Sequence, residues 1–409
     1  MVWLIARTIT ITNIIFRYAK IRNYLTQKTQ KVTQIHKTLY IKYIIIAYLG
    51  YYLLIAIKQK NHYLCHTEIR LTVKEGLSIN TKNTLKFIVL VILCGFLFLL
   101  DIALGSVNLS MSDIFSGDTV YREIVVNFRL PKAITALATG AALSVAGLVM
   151  QTMFKNPLAD PYILGISSGA SLGVAIVVLG SGLLPTAFVS SGWSIVIAAI
   201  LGGSVVLMLV LGISFKVRQV VSLLIIGIMF GQIAGSMVTI LQNYSNPDSL
   251  KLFITWTFGS LQAVTWNYMK VMLPMIAIGI LIVLSIQKQL DGLLLGEHYA
   301  KGLGISVTRT RILIIIAVAL LAGATTAFTG PIAFIGFAMP HLARGIFASS
   351  SHKIIAPASM LCGALTLIIC DLATTQIPAE GHILPINAIT SLIGAPFVIW
   401  VILKRIRVS

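Results

Sequence analysis

The chain has 409 residues, 57% of them apolar and only 11% charged, where soluble domains carry about 25% charge. That composition excludes a soluble domain and points to an integral membrane protein. The 31 Lys/Arg against 12 Asp/Glu leave a net charge of +19, but its distribution argues against nucleic acid as a partner. Residues 1–80 hold twelve Lys/Arg and two Asp/Glu, and much of the remainder sits in short loops between apolar runs, where basic residues record membrane topology.

Residues 1–80 form an N-terminal extension of unassigned function. Residues 1–16 are apolar but interrupted by Arg7, and they lack the basic start and small-residue cleavage site of a signal peptide. Residues 43–57 are an apolar run bounded by Lys42 and Lys58, short for a span. They either cross the membrane with their lysines snorkelling or lie in its interface. A third reading is translated upstream sequence, with initiation near Val73 or Leu77. His62, Cys65 and His66 stand at helical spacing, but three donors in one tail fall short of a convincing metal site.

Beyond the extension, an all-α fold of about ten membrane spans is expected, near 86–105, 131–154, 162–180, 193–215, 219–242, 268–286, 311–328, 332–347, 354–373 and 387–403. Runs of this kind can cross a hydrocarbon core of about 30 Å. The even-numbered spans end on the side that carries Lys155, Lys216, Arg218, Lys288, Lys301, Arg309, Arg311, Arg344, Lys353, Lys404, Arg405 and Arg407. The other side carries Arg122, Arg129, Lys132, Lys251 and Lys270. Twelve against five puts the C-terminus in the cytoplasm.

The second span is expected to start at Pro131, whose missing N–H is harmless in a first turn. It should end at Asn156-Pro157, because proline disfavours helical geometry in the residue before it. Residues 105–128, with Asp113, Asp118 and Glu123, read as an external segment. Gly165, Gly169 and Gly173, and again Gly227, Gly231 and Gly235, recur every fourth position, which gives a helix face that a neighbouring backbone can approach closely. Residues 243–266, rich in Trp and polar groups, read as a short interfacial helix.

The loop 290–311 reads LDGLLLGEHYAKGLGISVTRTR, which suits two short helices with Gly296-Glu297 opening one and Gly302 and Gly304 stopping it. In GPIAFIGFAMPHLAR, residues 330–344, Pro340 should bend a helix. His341 and Arg344 follow it near the inner face, the histidine as a structural hydrogen-bonding group. Asp371 is the clearest acid within a span, which leaves a proton-coupled secondary transporter as the rival reading. No G-x-x-x-x-G-K-S/T phosphate loop occurs, so ATP hydrolysis by that mechanism needs another chain.

Six stretches taken together carry a resemblance. These are R-L-P-K at Arg129 to Lys132 leading into the G-A-A-L-S-V-A-G helix, N-P-L-A-D-P at Asn156 to Pro161, and L-G-I-S-S-G-A from Leu164. The L-G-E-x-x-A-x-x-L-G loop and the pair G-P-I-A-F-I-G-F-A-M-P-H-L-A-R and L-P-I-N-A-I-T-S-L-I-G-A-P-F complete the order. In this order they resemble the permease subunits of binding-protein-dependent ABC importers for iron-siderophores, haem and cobalamin, over about residues 86–409.

The resemblance implies a multi-pass permease of the bacterial inner membrane, a homodimer or one half of a pair of similar permeases. Two ATPase subunits would bind beneath it and an extracytoplasmic substrate-binding protein above, with ATP held by the ATPase and no cofactor, metal or catalytic residue in this chain. Gly296, Glu297, Ala300, Leu303 and Gly304 would couple to the ATPase, and Arg129 and Lys132 would dock the binding protein. The glycine-laddered helix at 219–242 would lie near the pathway. Asn156, Pro157, Pro340, His341, Arg344, Pro385, Gly394 and Pro396 are motif residues. Asn387 stands where the family has Gly, with little consequence expected, and Thr375 stands where it has a third docking Arg.

Overall fold

The computed structural model describes residues 72–105, 119–180, 192–214, 220–377 and 384–406. The chain divides into two compact units, Met1–Ser78 and Ile79–Ser409, and the helical bundle is the second. The expectations for residues 1–16 and 43–57, for His62, Cys65 and His66, and for the loop stretch 106–118 concern residues outside those described. All regular structure among the described residues is helical.

Helix α1 (Thr72–Ala103) is followed by α2 (Thr119–Ile124), which runs through a wide π turn at Val125–Arg129 into α3 (Leu130–Phe154). The second span therefore does not begin at Pro131. Proline in a continuing helix removes one hydrogen bond and crowds the carbonyl four residues back, and the extra residue of the π turn immediately before it relieves that crowding. Helix α3 is nearly all buried and forms the centre of the bundle. It ends where the sequence indicates. Lys155 turns left-handed at φ +48°, and the side chain of Asn156 accepts the Leu158 N–H at 2.9 Å.

The segment 162–180 splits into a 3-10 turn, Pro161–Leu164, and α4 (Ile166–Val178). Thirteen residues reach only about 20 Å, short of a full crossing. Next come α5 (Gly192–Ser214), α6 (Val220–Tyr244) and α7 (Pro247–Thr257). The last is a short helix within 243–266, as expected there, opened by Asn246, whose side chain accepts the Ser249 N–H at 2.8 Å. Helix α8 (Trp266–Ser285) leads to α9 (Gln287–Leu295) and α10 (Glu297–Gly302).

Helix α11 (Val307–Val318), a π turn at Ala319–Gly323 and α12 (Ala324–Thr329) together make one span. Helix α13 (Ile335–Phe347) starts later than expected, because Gly330 at φ +74° and Phe334 at φ +69° hold 330–334 out of helical geometry. Helices α14 (His352–Gln376) and α15 (Ile386–Ile406) close the described chain. Among the described residues, seven helical stretches are long and apolar enough to cross a bilayer, and shorter apolar helices accompany them. The ten-span expectation is thus matched in position by helices but not in the length of every one.

The bundle is held at two backbone crossings along α3. A side chain on Gly140 would overlap the Gly363 carbonyl of α14, and one on Gly147 would overlap the Gly336 carbonyl of α13. Where small residues let two helices touch, dispersion contacts replace the hydrophobic drive that lipid cannot supply. Gly147→Val should therefore collapse the yield of folded protein in detergent, since backbone cannot yield as a side chain can. Gly235→Val, at a position with nothing within 4 Å, should leave the yield unchanged. Equal thermal unfolding profiles for the two variants would refute this account of the crossing.

Candidate functional site

Two short helices project from one end of the bundle as a platform. Helix α9 is joined to α10 at Gly296, whose φ of +123° is open to glycine and strained for other residues. Glu297 opens α10 and accepts a hydrogen bond from Arg311 at 2.5 Å. Ala300 is fully buried and its carbonyl takes the Ile305 N–H at 3.0 Å, while the Ile305 side chain packs over Gly292. Gly304, at φ +77°, turns the chain towards α11 in open space.

Of the five expected platform residues, Ala300 and Gly296 therefore shape the hairpin, and Leu303 and Gly304 lie on its surface. Leu295, Tyr299 and Leu303, each more than half exposed, form an apolar face. Leu295 and Tyr299 were not singled out in the sequence, although both fall inside the loop motif.

Behind the platform the motif residues form a polar seam. His341 Nε2 lies 2.7 Å from the Pro157 carbonyl, so the histidine braces the 155–161 hinge as a structural group. Arg344 donates to the Gln151 side-chain oxygen at 2.7 Å, and the Gln151 amide donates to the Phe337 carbonyl at 3.0 Å. This ties α3 to α13 on either side of Pro340, which lies inside α13. Gly394 in α15 packs on the Phe334 side chain, and Pro396 lies inside the same helix, with Pro385 just before it. Asn387 does more than the expected glycine would, because its side chain accepts the Ala333 N–H at 3.1 Å and so steadies the irregular 330–334 stretch.

At the opposite end, the two residues expected to dock the binding protein lie against groups of their own chain. Lys132 is buried, with its ammonium 2.7 Å from Asp371 Oδ2 and 3.2 Å from Asp101 Oδ1. Arg129 is buried as well, its guanidinium donating to the carbonyls of Ile102 at 2.9 Å and Ala103 at 2.8 Å. Arg129 thus caps the last turn of α1, as a cation at a helix C-terminus does. Both basic residues therefore also serve the fold of their own chain. Asp101 is the residue that the sequence reading missed. It is an acid within the first apolar run and legible by the same criterion as Asp371.

The glycine ladders meet each other. Gly165 lies before α4 as a left-handed residue at φ +79°, not within the helix, and faces the backbone of Gly227 and Gly231 in α6. Gly169 and Gly173 pack on Gly202 and Ala198 of α5, and Gly227 packs on Ile163 and Leu164. Gly235 faces open space. Around it Gln232, Ser236, Thr239 and Asn243, spaced 4, 3 and 4, share one exposed face of α6. Such spacing keeps residues on one side of a helix, and a polar stripe on an exposed, otherwise apolar helix is poorly matched to lipid tails.

A bundle of long apolar helices with a two-helix platform at one end and a polar stripe down an exposed helix is the make-up of a multi-pass membrane protein. Residues 88–404 match the FecCD transport family. The vitamin B12 import system permease protein BtuC of Vibrio cholerae serotype O1 is 34% identical over 302 residues, 73% of this chain and 88% of that protein. An ABC transporter permease protein of Bacillus subtilis (strain 168), YvrB, is also 34% identical, over 76% of this chain and 93% of its own length. Among solved structures, a metal-chelate type ABC transporter in an inward-facing conformation is similar at a TM-score of 0.70 and 29% identity, covering 77% of this chain and 97% of that one. The chain belongs to the FecCD transport family and is a permease subunit of an ABC importer.

Proposed function

We propose that this subunit pairs with a second copy, or with a similar permease, and that a metal chelate passes between them into the bacterial cytoplasm. A cobalt corrinoid, a ferric siderophore and haem are the candidate cargoes, and the likeness to a vitamin B12 permease favours the corrinoid. The observation that carries the reading is the stripe of Gln232, Ser236, Thr239 and Asn243 beside the open Gly235. Polar groups on that face are better matched to a watery seam between two subunits than to acyl chains. Two ATPase subunits dock on the face of α9 and α10, and an external binding protein delivers cargo at the other end. The bias of basic residues supports a platform and C-terminus on the cytoplasmic side of the inner membrane.

The test uses Ser236→Cys in proteoliposomes holding the permease, its ATPase subunits and its binding protein. Cross-linking between two permease chains, with ATP-dependent uptake of cyanocobalamin exceeding that of a ferric hydroxamate, is the expected result. Cross-linking with the preference reversed moves the cargo to the siderophore class. Cargo accumulated against a gradient by the permease alone would overturn the reading.

A further inference from the structure

Helix α9 is joined to the core by a three-residue relay that the sequence motifs do not mark. His352, the first residue of α14, is almost fully buried. Its Nδ1 lies 2.6 Å from Asp291 Oδ1 of α9, and its Nε2 lies 2.8 Å from the hydroxyl of Thr152 in the last turn of α3. The same carboxylate accepts the His352 backbone N–H at 2.8 Å and the Ser351 hydroxyl at 3.2 Å, so α9 supplies the cap of α14. Thr152 is buried, and its hydroxyl also reaches the Leu148 carbonyl at 3.0 Å.

From these contacts we infer that Asp291, His352 and Thr152 are positioning residues that carry motion of the α9–α10 platform to α3. A planar ring bonded at both ends is a stiff link: the His352 and Thr152 side chains are buried, so losing the bond between them leaves polar groups unsatisfied, while the part-exposed Asp291 carboxylate holds the other ring nitrogen. The ring stays bonded at both ends in its charged form and in the neutral form protonated at Nδ1, the form that the Asp291 carboxylate selects. In the neutral ring, Nδ1–H donates to Asp291 and Nε2 accepts from Thr152. In the charged ring both nitrogens donate, and the threonine hydroxyl turns to Leu148. Helix α3 is also the helix whose glycines touch α13 and α14, so displacing it displaces the centre of the bundle.

The inference rests on the ABC-importer reading, and the experiment separates the two. Thr152→Val removes the hydroxyl at nearly constant shape and leaves the bond between Asp291 and His352 in place. In the assembled complex carrying Ser236→Cys as reporter, the wild-type chain first has to show nucleotide-dependent change in cross-linking between permeases. Its absence there defeats the importer reading itself. With that change present, Thr152→Val should keep ATP hydrolysis within about twofold while the nucleotide-dependent change in cross-linking falls about fivefold, the scale of one lost buried hydrogen bond. Thr152→Ser should restore it, and His352→Gln, which can still reach Thr152, should fall between the two. An unchanged cross-linking response in Thr152→Val overturns the inference. So does a parallel loss of hydrolysis, response and thermal stability, which assigns the hydroxyl to folding alone.

Discussion

Glu297→Arg combined with Gly304→Trp should reduce stimulated ATP hydrolysis in the assembled importer at least about tenfold, while the permease itself still reaches the membrane. The two changes act on different properties of the platform. Glu297 is part-exposed and paired with Arg311, so reversing its charge sets two cations together and repels the loop from the surface it meets. Gly304 has no atoms near a built side chain but a φ of +77°. A tryptophan there strains the turn and blocks the platform's face without disturbing the packed hairpin beneath it. The fold should survive because Ala300, which anchors that hairpin, is untouched. The measurement is the ATPase rate of the reconstituted complex with and without loaded binding protein, alongside membrane yield. Stimulation retained in the double variant would remove α9 and α10 from their coupling role.

The sequence makes the helices legible because a bilayer demands long apolar runs, and it makes the platform legible because glycines at 296 and 304 have few other uses in so short a loop. Departures arise where backbone detail or distant partners decide. Pro131 reads as a helix start, since nothing local shows that the chain upstream is helical and can absorb the proline in a π turn. Residues 332–334 read as the start of a span until Phe334 is seen at φ +69°. Lys132 reads only as a docking residue because its two carboxylates are 31 and 239 residues away in the chain. The relay through His352 is hidden for the same reason, with each of its three members on a different helix. The stripe on α6, by contrast, is written in the local spacing, and attention to polar residues rather than to glycines would have found it.

The buried cluster at the other end supports the second large effect. Lys132→Met should destabilise the folded permease by about 3–5 kcal/mol, because it leaves Asp101 and Asp371 buried without their shared cation. Replacing all three with neutral residues, Asp101→Asn, Lys132→Met and Asp371→Asn together, should recover much of that loss, since the penalty lies in the uncompensated charge and not in the absence of the pair itself. Asp371→Asn alone should cost less than Lys132→Met, as Lys132 keeps Asp101 at 3.2 Å. Thermal unfolding in detergent reads this order directly. The same variants decide between an ionic brace and a proton carrier. A brace holds α1 and α14 to α3, so ATP-driven uptake by Asp371→Asn should follow the amount of folded protein. Uptake abolished in an Asp371→Asn protein of unaltered stability would instead make the carboxyl a working proton site and revive the secondary-transport reading.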